Sequence, residues 1–281
     1  MEFKIPEGKR GAELSEFLVE KLDELAGNIC TDPYELRKFV KQWNNGFYSY
    51  SLNNTLLIWV QKPEAIKTPF ICGYKGWLKK SRCVNRGEKA IRILAPYKTR
   101  IEDEHGEEAF IIKGFFPVSV FHVSQTSGED LKDPGCPDLI SGDVDLNTIV
   151  KACPFPVRIN DEMGFSNGQT DGKIITIAKR KNESAMVHTL CHEWSHALMH
   201  FKPESKSLER SIKECDAELS AHIVTSCLGL KNDKSPLYVG NWMKGNSDKI
   251  HSRARIILTT SEKIIRTIAL ELNSSVNKVI L

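Results

Sequence analysis

The sequence lacks the features of membrane, secreted and disordered proteins. Its unbroken apolar runs are only a handful of residues long, far short of the ~20 that span a bilayer. The first ten residues, MEFKIPEGKR, include five charged ones, where a secretory signal would need an apolar segment. The composition, 41% hydrophobic and 27% charged, is that of an ordinary globular chain, and no internal repeat is visible. We therefore expect a cytoplasmic protein with no membrane-embedded part.

The eight cysteines lack the spacing of a zinc ribbon or a redox motif. They lie at positions 30, 72, 83, 136, 153, 191, 215 and 227, and no two form a C-x-x-C pair. In a chain with no export signal, buried free thiols are the expected state. The cysteines thus predict a reducing compartment and exclude a cysteine-caged metal.

The order of sequence patterns predicts an α+β fold in two domains. The first sixty residues show helical periodicity, with helices expected at 13–26, 32–44 and 52–61, and short β-rich stretches follow up to residue 127. Residues 128–142 contain three glycines and two prolines and form the best linker candidate. Further helical patterns cover 183–201, 205–228 and 249–272. We predict an N-terminal α+β domain at 1–127, a linker at 128–142, and a mainly helical domain with a small sheet at 143–281.

The strongest chemical signal is the H-E-x-x-H pattern of His192, Glu193 and His196 inside a predicted helix. Residues four apart share a helix face, so both imidazoles can bind one ion, while Glu193 lies where it can take a proton from a metal-bound water. A zinc site of this kind needs a third protein ligand and leaves its fourth position to water. The pattern therefore predicts one Zn²⁺ per chain and, with it, peptide hydrolysis.

The third ligand is expected on the next helical segment. Glu214 and Glu218 lie four residues apart and share a face there. We assign Glu214 as the ligand and Glu218 as the acceptor of an N–H from a ligand histidine, with the reverse assignment left open. A solvated acidic helix face is the plainer alternative for this pair.

Other residues near the motif are weaker candidates. Tyr238, just before a Gly-Asn-Trp turn, could donate a hydrogen bond to an oxyanion and is included as a catalytic candidate, although a packing or surface role is the alternative. His188, His200 and His222 are expected to be core histidines or hydrogen-bond partners of the ligands rather than ligands themselves.

Positive charge is concentrated in one part of a nearly neutral chain. Residues 62–100 contain eleven Lys and Arg against Glu64 and Glu88, whereas the net charge of the whole chain is +3. Aromatic residues are interleaved with these charges from Trp43 to Tyr97. Bases stack on aromatic rings and phosphates pair with Lys and Arg, so this composition is compatible with single-stranded DNA as a partner. A basic surface and buried aromatics with no ligand would give the same composition.

Several blocks of sequence together resemble the ArdC-type antirestriction family. They follow in order as 48–61 (YSYSLNNTLLIWVQ) with the adjoining 63–65, 73–77 (GYKGW), 82–96 (RCVNRGEKAIRILAP), 120–126 (VFHVSQT), 189–200 (TLCHEWSHALMH) and 214–221. The N-terminal blocks are the more specific ones, because many peptidases share H-E-x-x-H. The resemblance implies a single-stranded-DNA-binding domain joined to a zincin-like metallopeptidase domain.

The resemblance also implies roles for individual residues. His192 and His196 would be metal ligands, Glu193 the general base and Glu214 the third ligand. Seven residues would lie in or near the DNA-binding region: Tyr48, Asn53, Lys75, Trp77, Arg82, Arg86 and Lys89. Two positions depart from the family pattern: His122 stands where relatives usually carry Asp, and Ser81 precedes Arg82 where relatives commonly carry Gly.

Three functions are compatible with this sequence. The first is a single-stranded-DNA-binding protein with a zinc metallopeptidase domain that protects incoming mobile-element DNA from restriction, with double-stranded DNA as an open second partner and an unknown protein substrate. The second is a regulatory or crosslink-removing protease that its basic domain tethers to DNA. The third is a DNA-binding module whose zincin fold is catalytically silent.

Overall fold

The computed structural model of the chain describes residues 3–102, 108–131, 139–140, 144–161, 163–164, 166–230 and 247–279. Helices and small sheets alternate along it. The helices are α1 (Gly11–Cys30), α2 (Pro33–Gln42), α3 (Leu52–Gln61), α4 (Tyr74–Leu78), α5 (Leu146–Ala152), α6 (Glu183–Met199), α7 (Arg210–Cys227) and α8 (Ser247–Val279). The strands are β1 (Ile71–Cys72), β2 (Arg82–Val84), β3 (Ile91–Glu102), β4 (Glu108–His122), β5 (Thr126–Gly128), β6 (Val157–Asn160), β7 (Gly168–Thr170) and β8 (Ile175–Ala178). The mixed helix and sheet content predicted from the sequence is confirmed.

The chain divides into two compact units that are not consecutive in sequence. The first contains Met1–Glu24 and Asn53–Cys136, and the second contains Leu25–Leu52 and Pro137–Leu281. In this grouping residues 25–52 belong with the C-terminal part of the chain. The domain limits at 127 and 143 drawn from the sequence stay a prediction.

The first unit is built on the long antiparallel hairpin of β3 and β4. Its sheet has the order β1-β4-β3, and β2 pairs with β5 in a separate two-stranded ladder. The pairing of Tyr97 with Gly114 is followed by that of Lys98 with Ile112, so Lys113 is the extra residue of a β-bulge. Ser15 of α1 donates a hydrogen bond to the carbonyl of Phe115, which places the N-terminal part of α1 against β4.

Two side-chain amides of α3 bind the outer edge of β3. Asn54 accepts from the N–H of Leu94 and donates to its carbonyl, and Gln61 does the same with Arg92. A free strand edge exposes a row of unpaired backbone groups, and these two amides pair part of that row. The family-like block around residues 48–61 therefore has an architectural role in this fold.

The second unit places a three-helix core beside a small mixed sheet. The sheet has the order β6-β8-β7, with β6 parallel and β7 antiparallel to β8. Ile175 and Ile177 of β8 are fully buried and face the core, and α6 packs on both β7 and β8. Helices α6, α7 and α8 contact one another, and α2 packs on α7. This arrangement holds α6 between a strand edge and a second helix.

Residues 25–52 are joined to the second unit by specific polar contacts. Arg266 of α8 donates to the carbonyls of Tyr48 and Tyr50, and its guanidinium lies 5.3 Å from the centroid of the Trp43 ring. Asn44 exchanges two hydrogen bonds with the backbone of Ile140. Charge and amide pairs of this kind explain why the segment groups with distant sequence. No helix among the described residues is both long and apolar enough to cross a membrane.

Candidate metal centre

Helix α6 packs on β7, β8 and α7 and carries the H-E-x-x-H residues in its C-terminal half. Asn182 caps its N-terminus by accepting from the N–H of Ala185. Met186, Leu190 and Trp194 supply its buried apolar positions, and Ser195 Oγ donates back to the carbonyl of Cys191. The two candidate ligand histidines are therefore held on a rigid element.

The structure brings His192, His196 and Glu214 together. Their candidate ligand atoms all lie within 4.8 Å of one another, the one such group of His, Cys, Asp or Glu in the described part of the chain. The two Nε2 atoms are 3.0 Å apart, and Oε2 of Glu214 lies 3.5 Å from Nε2 of His192 and 3.7 Å from that of His196. Three atoms bound to one tetrahedral zinc would be about 3.3–3.5 Å apart. The donor set and its spacing thus fit a single metal ion.

Each ligand histidine has a partner on its other ring nitrogen. Nδ1 of His192 lies 3.1 Å from Oε2 of Glu218, which also approaches Nε2 of His188. Nδ1 of His196 lies 2.9 Å from Nδ1 of His200. Such contacts orient an imidazole and select its tautomer. Glu218 therefore contacts the Nδ1 side of His192, while Glu214 is the carboxylate that faces both Nε2 atoms.

The ionisable groups of the centre shift one another's pKa values. Burial alone would lower the pKa of His192, but the Glu214 and Glu218 carboxylates outweigh it and raise that pKa to about 9. Burial is the main cause that lowers the pKa of His196. Hydrogen bonds from both histidines hold the pKa of Glu214 well below its usual range. The negative charges of Glu214 and Glu218 thus favour a cation between them. A bound metal ion would supply that positive charge in place of the proton of His192.

The side chain of Glu193 on α6 is packed closely against β7. It is 8% exposed, and burial raises its pKa to about 7, with the nearby Glu214 carboxylate adding to the rise. A Cβ added at Gly168 of β7 would lie 2.8 Å from Cγ and 2.9 Å from Oε1 of Glu193. A carboxylate with a pKa near neutrality is suited to accept and return a proton.

The structure also shows participants that sequence reasoning did not assign. Asp216, which helical spacing turns away from Glu214, accepts from Nε2 of His200 and from Nε of Arg253 in α8. His188 and His200, by contrast, were expected as core histidines or hydrogen-bond partners, and with His192 and His196 they recur at every fourth residue from 188 to 200. No sequence pattern predicts the hydrogen bond from Arg253 to Asp216, since the two residues lie far apart in the chain. Tyr238 lies outside the described residues.

The seven residues expected near DNA differ in their surroundings. Trp77 is 1% exposed and donates to the carbonyl of Phe121, so the structure gives it a packing role rather than a stacking one. Arg82 donates to the hydroxyl and carbonyl of Thr126, and so ties β2 to β5. Tyr48 and Asn53 are half-buried. Three basic side chains are exposed: Lys75, Arg86 and Lys89.

The N-terminal part of the chain is similar to a known protein family. Residues 18–130, less than half of the chain, match the family model described as the N-terminal domain of anti-restriction factor ArdC. No curated protein matches the sequence.

Two solved structures of the antirestriction protein ArdC from plasmid R388 are also similar. The metal-free one is 20% identical with a TM-score of 0.44, over 81% of this chain and 86% of that one. The Mn(II)-bound one is 18% identical with a TM-score of 0.43, over 79% and 84% of the two chains. The match at residues 18–130 identifies this part of the chain as similar to an ArdC N-terminal domain.

Proposed function

We propose that the protein binds single-stranded DNA through its ArdC-type N-terminal domain and hydrolyses a protein substrate at a zinc centre formed by His192, His196 and Glu214. Its biological role would be the protection of incoming mobile-element DNA from restriction. The proposal depends above all on one observation, the spacing of three ligand atoms with Glu193 beside them on a buried helix. The N-terminal match supports the antirestriction role.

The residues of the centre have separable tasks in this mechanism. A bound zinc ion would polarise the scissile carbonyl and lower the pKa of a coordinated water. Glu193 accepts the proton of the attacking water and returns it to the leaving amine. His188 and Glu218 hold His192 in place, and Glu214, whose side chain is 34% exposed, leaves the centre open on one side. The imidazole and carboxylate donors suit zinc and also admit manganese.

The metal half of the proposal is tested by elemental analysis and hydrolysis together. We expect about one zinc per chain in the wild-type protein, and loss of zinc in Glu214→Ala. Glu193→Gln should retain zinc and abolish cleavage of dye-labelled casein, since the amide cannot accept the proton. A wild-type protein free of zinc after preparation in zinc-containing buffer would contradict the metal centre.

A restriction assay then connects hydrolysis to biology. Unmodified plasmid DNA is introduced into a restricting strain that expresses the wild-type protein or Glu193→Gln. If proteolysis is the mechanism, only the wild type protects the DNA. Equal protection by both proteins would instead support a DNA-binding module with a silent zincin scaffold.

The DNA half depends on the basic side chains that the structure leaves exposed. Lys75, Arg86 and Lys89 stay candidates for phosphate contacts. Trp77 is buried, so stacking falls to aromatic rings that are exposed. Tyr97 is 58% exposed and is paired across the hairpin with Gly114. Phe116 lies two residues from Gly114 along β4, so the rings of Tyr97 and Phe116 share one face of the hairpin. An exposed pair of this kind offers a surface for unpaired bases.

Salt dependence tests these contacts. Replacing Lys75, Arg86 and Lys89 by Ala should reduce the slope of log K against log salt by about 2 for a thirty-nucleotide thymidine oligomer, since each single-strand phosphate contact contributes about 0.7. The matched control removes the same charge from exposed lysines of the second unit, Lys173, Lys202 and Lys206. An equal loss in both triple variants would contradict a local DNA site. A duplex of the same length shows whether double-stranded DNA also binds.

A further inference from the structure

A chain of buried hydrogen bonds runs from α8 to the ligand candidate His196. Nε of Arg253 donates to Oδ2 of Asp216 over 2.6 Å, and the same oxygen lies 3.1 Å from Nε2 of His200. Nδ1 of His200 in turn lies 2.9 Å from Nδ1 of His196. Asp216 is 2% exposed and His200 7%, so water competes little for these contacts. We name Arg253, Asp216 and His200 the Asp216 relay.

The direction of each hydrogen bond in the relay follows from its carboxylate end. Asp216 as a carboxylate can only accept, so Nε2 of His200 donates to it. A neutral imidazole that donates from Nε2 has its lone pair on Nδ1, and His196 must therefore donate from its own Nδ1. This leaves the lone pair of His196 on Nε2, the atom that faces His192 and Glu214.

Both candidate ligand histidines thus direct the Nε2 lone pair at the metal position, but different partners hold them there. His192 donates from Nδ1 directly to the Glu218 carboxylate, which lies one helical turn beyond Glu214 on α7. His196 has no carboxylate on its Nδ1 and depends on a neutral imidazole, whose own orientation depends on Asp216. The carboxylate that orients His196 is therefore two contacts away, and it is held by a residue of a third helix.

We infer that Asp216, His200 and Arg253 are positioning residues that set the metal affinity of the centre by holding Nε2 of His196 toward the ion. The inference rests on the metal site of the proposed function. Partners of ligand histidines affect affinity because they hold the imidazole in its binding orientation and increase its basicity, and their loss typically weakens binding 10–100-fold. The relay also makes α8 part of the metal site, although α8 supplies no ligand.

The same three helices offer a matched control. Oγ of Ser220 in α7 lies 2.9 Å from Oγ of Ser195 in α6 and 3.0 Å from Oγ of Ser261 in α8, and all three serines are buried. This serine cluster joins the helices as the relay does, but none of its hydrogen bonds reaches a ring nitrogen of a ligand histidine. A loss of helix packing alone would therefore affect the two clusters alike.

The test measures zinc affinity by competition with a chromophoric chelator in the full-length protein. His200→Phe should weaken zinc binding 10–100-fold and change the visible spectrum of the Co²⁺-substituted protein. His200→Gln should restore most of the affinity, because its amide carbonyl can accept from Nδ1 of His196. Ser220→Ala should change zinc affinity less than about twofold while lowering the thermal midpoint of the metal-free protein.

A second comparison keeps the inference testable if His200→Phe does not fold. Asp216→Ala should weaken zinc binding about tenfold in the wild-type background but less than twofold in the His200→Gln background, because the glutamine no longer depends on Asp216. Equal effects in both backgrounds, or wild-type affinity in His200→Phe, would overturn the relay and leave the metal site standing. Failure of the wild-type protein to bind zinc would overturn both.

Discussion

Histidines 188, 192, 196 and 200 recur at every fourth residue along α6 and its C-terminal cap, and their partners on α7 decide what each one does. Two of them face Glu214 with their Nε2 atoms. The outer two contact Glu218 and Asp216 instead. Helical periodicity alone places all four near one face. The choice between ligand and supporting residue depends on where the acidic side chains of a second helix lie.

The two departures from the family pattern have local explanations. His122 begins a short 3₁₀ turn at Val123–Gln125, and its Nδ1 accepts from the N–H of Ser124 as an Asp at this position would. Its Nε2 also contacts the carbonyl of Thr68. Ser81 has φ +56°, the left-handed region, and is the one non-glycine residue with positive φ in the described chain. A glycine at this position would adopt that conformation without steric cost.

Ser81→Gly should therefore stabilise the protein. Relief of the left-handed strain outweighs the added freedom of the unfolded chain, so we expect the free energy of unfolding to rise by about 0.5–1 kcal/mol. Ser81→Val should lower it by a larger amount, since a β-branched residue is least tolerated there. Urea unfolding of the three proteins measures both effects. A lower stability of the glycine variant would contradict strain at this position.

His222 makes acid stability depend on a residue outside the metal centre. It is buried on α7, and burial, aided by His188 and Arg37, lowers its pKa to about 4 from the ordinary 6.5. The unfolded chain then binds a proton that the folded one does not, so stability is lost as the pH falls from about 6.5 to about 4. We expect His222→Leu to gain about 2 kcal/mol relative to the wild type between pH 7.5 and pH 5.

Urea unfolding of metal-free wild type and His222→Leu at the two pH values measures this gain. Packing differences between His and Leu contribute equally at both, so only the change with pH reports the titration. A stability difference that does not change with pH would show that His222 does not titrate over this range.

At the scale of elements, the position of Glu193 depends on the approach of β7 to α6. Gly168 is the residue at which the two elements are closest, since an added Cβ would lie 2.7 Å from Cγ2 of Thr189 and 2.8 Å from Cγ of Glu193. Both atoms lie near the helix backbone rather than at a mobile end. The absence of a side chain at residue 168 is therefore a structural requirement of this contact.

Gly168→Ala should destabilise the protein and reduce hydrolysis with little effect on the metal. Forcing β7 away from α6 is expected to cost about 1–3 kcal/mol. Zinc affinity should stay within a few-fold of wild type, because no ligand touches the added methyl group. The control is Gly114→Ala in β4, where the added Cβ meets nothing within 4 Å. Equal stability of the two variants, measured by thermal unfolding, would contradict the close packing.

The elements themselves were largely predictable. The predicted helix at 52–61 coincides with α3, and those at 183–201 and 249–272 match α6 and α8 to within a few residues at most ends. Asp32 caps α2 as its position before Pro33 indicated. The binding of α3 amides to the β3 edge was not predictable, because Asn54 and Gln61 contact residues more than thirty positions away.

At the scale of the whole molecule, the two compact units carry different chemistry. The first contains Lys75, Arg86 and Lys89, the basic residues proposed to contact DNA, and most of the ArdC-type domain match. The second contains every residue of the metal centre, together with the segment 25–52 that Arg266 and Asn44 tie to it. The ArdC-type match at 18–130 therefore includes sequence that packs with the second unit.

Each ligand should accordingly protect its own unit from hydrogen exchange. In peptides from 183–227 whose amides exchange only on global unfolding, zinc at 100 times its Kd should slow hydrogen exchange up to about 100-fold. Binding of zinc to the folded protein shifts the unfolding equilibrium by that factor. A thymidine oligomer should protect peptides from 74–130 instead. Exchange mass spectrometry with each ligand, and with Glu214→Ala as the zinc control, measures both patterns. Zinc protection confined to residues 74–130 would contradict the assignment of the metal centre.

The sequence by itself determined the local features of this protein. Helical periodicity, the cap at Asp32 and the four-residue spacing of His192 and His196 are set by neighbours within one or two turns, so they can be predicted from the residues alone. The tertiary structure decided the long-range features. It placed Glu214 rather than Glu218 on the two Nε2 atoms, brought Arg253 to Asp216, and buried Trp77. Those outcomes depend on how separate helices pack, and no short-range pattern encodes that packing.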